Sequence, residues 1–287
     1  MTAILLTAIG IMNNAIVTSG VGNSFSLMIA QWSQGSMVLA IALIALASLV
    51  LGMGLPVTAA YIILAILTAP ALAGLMADGL IVEQLVAGIS DASKSGLFVL
   101  VDHPLAAQVA TGMTKAEAWE LVRNIPFEIA VTIRPVMIDP VAQTSFLLTA
   151  HLIIFWLSQD SNVTPPVCLA AFAAAGIAGS RPMATGFESW KIAKGLYIVP
   201  LLFAYTPLIS GDLIEVFQIG FFALFGIYAT NALIQWYAEG PLGIITLPLL
   251  ILGAIGAYWP LAILPNILGA VSVLVAIVLS SRVKTQR

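Results

Sequence analysis

Asp160, Ser161, Asn162 and Thr164 crowd four polar side chains into five positions, directly ahead of Pro165-Pro166. A second stretch, Leu51-Gly52-Met53-Gly54-Leu55-Pro56-Val57-Thr58, combines two glycines, a proline and a hydroxyl. Both lie inside long apolar sequence. Proline removes a backbone donor and clashes with the preceding turn. Glycine adds freedom that a helix must lose. A helix broken at such points exposes carbonyls on its C-terminal side and amides on its N-terminal side. The carbonyls suit Na⁺; the amides, with the helix dipole, suit a carboxylate. Gly52, Gly54 and Leu55 offer carbonyls and Thr58 a hydroxyl, while Ser161, Asn162 and Thr164 offer side-chain oxygens. In hydrocarbon, freed backbone groups must be re-satisfied by protein, ion or cavity water, so paired breaks point to a midplane binding site.

Each residue also has a plainer use. Both breaks fit ordinary loops at a membrane surface, where glycine and proline cost nothing. Ser161 and Thr164 fit N-caps of the following helix, and Pro165-Pro166 suits that helix's first position. Asp160 is a functional candidate as an acid in apolar sequence, yet at a span end it also fits a water-facing carboxylate. His151 fits a packed neutral imidazole better than a proton relay. An intramembrane enzyme using Asp160, His151 or Asp102-His103 lacks a second acid at helical spacing from Asp160, so catalysis is not expected. Cys168 is the single cysteine, which excludes an intramolecular disulfide and fits a small buried side chain.

The elements that must position these residues are membrane helices. Hydrophobic residues make up 61% of the chain and charged residues 8%, with mean hydropathy +1.08; soluble chains carry about 25% charged residues. Repeated spans of about 20 apolar residues indicate an all-α, polytopic membrane protein with discontinuous helices or hairpins, not a barrel. The bilayer is its medium. A net charge of −3 without a basic patch argues against nucleic acid. Met1 leads into uncharged sequence up to Asp78, an abrupt start that reads as a piece of something longer.

Four regions follow. Residues 1–77 hold spans at 3–22, 36–51 and 57–77, with a polar 23–35 piece that is interfacial or re-entrant. Residues 78–140 carry twelve charged side chains and read as a polar insert, surface or re-entrant. Within it, Thr114 and Glu117 predict a capped amphipathic helix. Arg134-Pro135 and Asp139-Pro140 predict extended backbone before each proline. Residues 141–210 hold the second break, and 211–287 the last helices and a basic tail. Spans are expected at 195–210, 216–238, 242–257 and 260–280. With Arg282, Lys284 and Arg287 placed in the cytoplasm, counting back puts Arg181, Lys191 and Lys194 on that side too. Glu188, Lys191 and Lys194 then read as a solvated cytoplasmic face.

At the breaks the chain resembles a known family. Gly52-Met53-Gly54-Leu55-Pro56-Val57-Thr58-Ala59-Ala60-Tyr61-Ile62 with Ala69-Pro70-Ala71-Leu72 is similar to the large membrane subunit of tripartite ATP-independent periplasmic (TRAP) transporters, most of all the fused TAXI-type permeases. Asn162-Val163-Thr164-Pro165-Pro166-Val167 and the small-residue run to Gly179, then Lys194-Gly195 to Pro200, Phe203 and Pro207, continue the likeness. Residues 20–77 and 147–210 carry it; 78–140 have no counterpart in it. The resemblance implies the C-terminal portion of an elevator-type, sodium-driven symporter for organic anions such as a dicarboxylate or amino acid. It implies a periplasmic substrate-binding protein, a missing N-terminal half or small membrane subunit, the bacterial inner membrane, and no cofactor beyond Na⁺ as coupling ion. Ion and substrate contacts are expected at Gly52, Gly54, Pro56, Thr58, Asp160, Ser161, Asn162, Thr164 and Pro165, with Na⁺ at Gly52, Gly54, Asn162 and Thr164. The alternative is a non-transporting anchor or a partial subunit needing a second chain.

Overall fold

A computed structural model describes residues 2–102, 105–260 and 262–285. Its regular elements are all helices, and the chain divides into two units: Met1–Ala47 with Tyr61–Ile154, and Ser48–Ala60 with Phe155–Arg287.

The first unit holds α1 (Thr2–Ser19), α2 (Val21–Ser33), most of α3 (Met37–Gly52), most of α4 (Val57–Ala87) and most of α9 (Pro140–Ser158). Gly20, at φ 72, turns the chain between α1 and α2. The polar 23–35 stretch is mostly α2, which buries Gly22, Ser26, Ile29 and Ser33 along one stripe. Pro70 inside α4 cannot donate to the Ile66 carbonyl, and that carbonyl faces Gly22 at 3.6 Å from where a Cβ would stand. One turn on, the Ser26 hydroxyl donates to the Leu67 carbonyl at 2.7 Å. Small residues thus let α2 lie against the proline-loosened part of α4.

Two expectations fail in this unit. The span does not close at Asp78; α4 runs on to Ala87. Asp78 is held there by Arg134, whose Nε and Nη2 each donate to a carboxylate oxygen at 2.8 Å. Arg134-Pro135 is not extended either: both lie in α8 (Phe127–Met137). The ion pair and the burial of Ile133 and Met137 outweigh the steric bias before proline. Between α4 and α8 come α5 (Ala92–Ser95), a 3₁₀ turn (Gly96–Leu100), α6 (Leu105–Thr111) and α7 (Lys115–Asn124). With the end of α4 and with α8 they pack a core around Leu85, Phe98, Val109, Ala118, Ile133 and Met137. Gly88 and Gly112, at φ +84 and +86, pass so closely that a Cβ on either would meet a carbonyl at 2.9 Å. The predicted cap on α7 is present, with Glu117 N–H donating to Thr114 Oγ1 and Thr114 N–H to Glu117 Oε2.

The second unit holds both helix breaks, then α10 (Leu169–Ala178), α11 (Pro182–Ile192), α12 (Gly195–Tyr205), α13 (Leu213–Gln235), α14 (Thr246–Ala257) and α15 (Ile263–Thr285). Gly253, Gly256 and Gly269 bring α14 and α15 into backbone contact. Asn266 fastens them: its amide donates to the Gly256 and Trp259 carbonyls at 3.0 and 2.8 Å, and its oxygen accepts from Gln218 on α13 at 2.8 Å.

Among the described residues, Val57–Ala87, Pro140–Asn162, Leu213–Gln235 and Ile263–Arg282 are long and apolar enough to cross a membrane. The expected spans at 195–210 and 242–257 are shorter than read. α12 has 11 residues and α14 has 12, about 17 and 18 Å against a hydrocarbon core of about 30 Å. The alternating count of sides from the C-terminal tail ran through both of them.

Candidate functional site

The first break falls between α3 and α4. The Gly54 amide still reaches back to the Leu51 carbonyl at 3.2 Å, and the helix resumes when the Ala60 amide reaches Pro56 at 2.9 Å. The second break follows α9. A 3₁₀ turn at Asp160–Asn162 leads into turns at 163–167 and a cis Pro165-Pro166 bond. The next helix starts at Leu169, so the proline pair does not open it. Nor do Ser161 and Thr164 cap it. Cys168 stands at the N-cap position, buried and at φ 25, with no side-chain cap bond. The Thr164 hydroxyl instead donates to Asp160 Oδ1.

Asp160 is 2% exposed, Ser161 3% and Thr164 7%. Asp160 is therefore not a water-facing carboxylate within this chain. Its Oδ1 also accepts from the Tyr197 hydroxyl on α12 at 2.5 Å, and that hydroxyl accepts from Trp190 Nε1 at 3.2 Å. Lys194 is not part of a solvated face: its Nζ stands 3.3 Å above the Trp190 ring. Burial pushes the Lys194 ammonium below the usual lysine range, and the Asp160 carboxylate pulls it partly back. Lys191 and Glu188 do form an exposed pair at 2.8 Å.

The two breaks meet. A Cβ on Gly52 would collide with Ser161 Cβ and Oγ, so the last residue of α3 is seated against the 3₁₀ turn. Ser48, one turn before Gly52, donates its hydroxyl to the Leu157 carbonyl at 2.9 Å. Sequence reasoning placed Gly52, Asp160, Ser161 and Thr164 in one site, and the structure brings these four together. Gly54, Pro56 and Thr58 are exposed, while Asn162 and Pro165 are half-buried. Pro165 packs toward α11, 3.5 Å from where a Gly186 Cβ would stand.

Tyr197, Trp190 and Lys194 were missed as site residues. Trp190 lies on α11, Lys194 in the turn that follows and Tyr197 on α12, so no single helical periodicity in the sequence marked them as a group. His151 takes no part in this site. It lies in the other unit, with Nδ1 3.1 Å from the Tyr61 hydroxyl, a packed imidazole with a partner. Asp102 is exposed, and His103 lies outside the described residues.

What the arrangement can do follows from its donor set. Carboxylate and hydroxyl oxygens, together with the unpaired carbonyls that end a helix, suit a small hard cation. Trp156 lies one turn before Asp160, edge-on to Phe203 at 6.0 Å, and its buried Nε1 has no partner among the described residues. The description "Tripartite ATP-independent periplasmic transporter, DctM component" matches residues 1–209. The chain belongs to this family. As a DctM component it is a multi-pass TRAP transporter membrane subunit. The match extends the likeness seen in the sequence, taking in residues 1–19 and the 78–140 region that had no recognised counterpart. It contains both breaks and Tyr197, and it ends before α13. No curated protein and no solved structure matches the chain.

Proposed function

We propose that this DctM component carries an organic anion, a dicarboxylate or an amino acid, across the bacterial inner membrane by sodium symport of the elevator type. A periplasmic substrate-binding protein delivers the anion, and a small membrane subunit accompanies the permease. The observation that carries this reading is the seat of Gly52 against Ser161. It joins two helix breaks, 109 residues apart, beside a buried Asp160. Asp160, Ser161 and Thr164 supply oxygens for the cation, with carbonyls at the end of α3. Lys194 supplies a basic group beside the second break, and Trp156 Nε1 a free donor. Reading these buried polar groups as ion ligands and donors, and the family match, both support transport over catalysis.

The test is sodium titration of the purified chain in nanodiscs, followed by tryptophan fluorescence, since Trp156 and Trp190 flank the second break. A saturable response to Na⁺ that K⁺ does not reproduce is expected. Asp160→Asn keeps an oxygen that accepts from Tyr197 and Thr164, so it should fold normally and lose the response. Uptake of dicarboxylates and amino acids in proteoliposomes with the binding protein then reads the whole reaction. Uptake appearing only after an N-terminal half is co-reconstituted would favour the partial-subunit reading. A sodium response unchanged by Asp160→Asn would overturn the site, and no sodium response at all would favour the anchor.

A further inference from the structure

The unit made of residues 1–47 and 61–154 contains a cavity of ≈ 650 Å³ that the transport site does not use. It lies among α2, α4, α7 and α8. Its character changes along its length. Where α2 and α4 run side by side, Leu27, Ala30, Pro70, Ala71 and Leu75 give it largely apolar walls, with Asn23 and Ser26 of α2 also on that stretch. Toward the ends of those helices, Gln31, Gln34, Asp78, Trp119, Arg123 and Arg134 line it.

The charged end carries two arginines and one aspartate, a net positive balance. Arg134 spends Nε and Nη2 on Asp78. A guanidinium has five N–H donors, so three remain for something else. The group lies flat over Gly74, its Nη1 3.3 Å from where a Cβ would stand. Arg123 stacks over Trp119 with Cζ 5.6 Å from the ring centroid and has no carboxylate within ion-pair distance among the described residues. Gly35, at φ +77, leaves room beside its Nε.

Helix α7 buries Ala118 and Val122 in the core of this unit and exposes Lys115, Glu117, Glu120 and Arg123. The cavity thus sets two arginines beside apolar walls between helices of a membrane protein. Arginine matches phosphate through its fork of donors, and basic pockets between membrane helices hold anionic headgroups.

We propose that this cavity binds a phosphate carried on an apolar tail, the headgroup of an anionic phospholipid, with Arg134 and Arg123 as its cationic contacts. The site is separate from the helix breaks, so it stands or falls independently of the transport reading.

The test is native mass spectrometry of the full chain released from mixed phosphatidylglycerol and phosphatidylcholine bilayers of identical acyl chains. One phosphatidylglycerol should be retained in preference to phosphatidylcholine. Loss of one charge-assisted contact should reduce that preference by about tenfold. Arg123→Gln lies on an exposed side chain and should do so with only a small change in Tm, that of losing its stacking on Trp119. Arg134→Gln alone would strand Asp78, so Arg134→Gln is made together with Asp78→Asn, which keeps a neutral pair in place. Equal retention of the two lipids, or undiminished preference in both variants, overturns the proposal. In phosphatidylcholine discs, glycerol phosphate and inorganic phosphate are added as soluble probes. Protection against heat by either, equal to that from phosphatidylglycerol, would make this a free-phosphate site and overturn the lipid assignment. Protection by the lipid only supports it.

Discussion

At the scale of single residues, the site depends on one missing side chain. Gly52 has no Cβ, and Ser161 occupies the space where one would be. Gly52→Ala should destabilise the protein by about 1–3 kcal/mol, the usual cost of overpacking a tight contact, and weaken the sodium response with it. Adding Ser161→Gly removes both clashing atoms. The double variant should recover most of the lost Tm, since contacting residues couple by about 0.5–3 kcal/mol. Thermal unfolding of the four proteins of that cycle reads the result. Additive losses would mean that the two breaks do not touch. The sequence made Gly52, Asp160, Ser161 and Thr164 visible because each is the wrong residue type for an apolar helix. It did not reveal Tyr197, whose aromatic ring is ordinary in apolar sequence. Only the fold brings its hydroxyl to Asp160 across 37 residues. For the same reason Ser161 and Thr164 fitted caps of a helix that in fact begins at Leu169.

At the scale of elements, local signals held and long-range ones decided the exceptions. The Thr114–Glu117 cap needs only four residues, and it was legible. The continuation of α4 past Asp78 needs Arg134, 56 residues away, so an isolated charge in apolar sequence read as a stop. The cap makes a pH prediction. Hydrogen bonds from the Thr114 hydroxyl and amide hold the Glu117 carboxyl below its usual range. Its folded value is thus depressed relative to the unfolded chain, where glutamate titrates at about 4.3. The stabilisation is fully present above that value and is lost as the pH falls through the folded value. Amide exchange across 115–124, compared between the native chain and Glu117→Gln, should differ at pH 7 and converge once the pH has fallen through the folded value. A difference that does not shrink as the pH is lowered would show that something other than this carboxylate holds the start of α7.

At the scale of the whole molecule, membership of the two units cuts across chain order. Residues 48–60, containing the first break, belong with 155–287, although the segments on either side of them belong to the other unit. Composition alone made an all-helical membrane protein legible, because 8% charge leaves few soluble options. It could not show this exchange, because α3, α4 and α9 are continuous helices that pass from one unit to the other, and hydropathy follows the helix and not its neighbours. Units that are packed separately open separately. Hydrogen exchange should therefore group residues 48–60 with 155–168, while 37–47 and 61–75 follow the other unit. A single continuous helix would then show two exchange regimes, with the change near Ser48 in α3 and near Tyr61 in α4. Sodium should slow exchange at both breaks together and leave the core around Phe98 unaffected. If 48–60 instead exchanged in step with its helical neighbours, the division into units would be wrong. The seat of Gly52 against Ser161 would then be too weak to hold the breaks as one site. If the grouping holds but sodium protects only one break, the two are joined by packing alone, and the ion ligands lie on the break that responds.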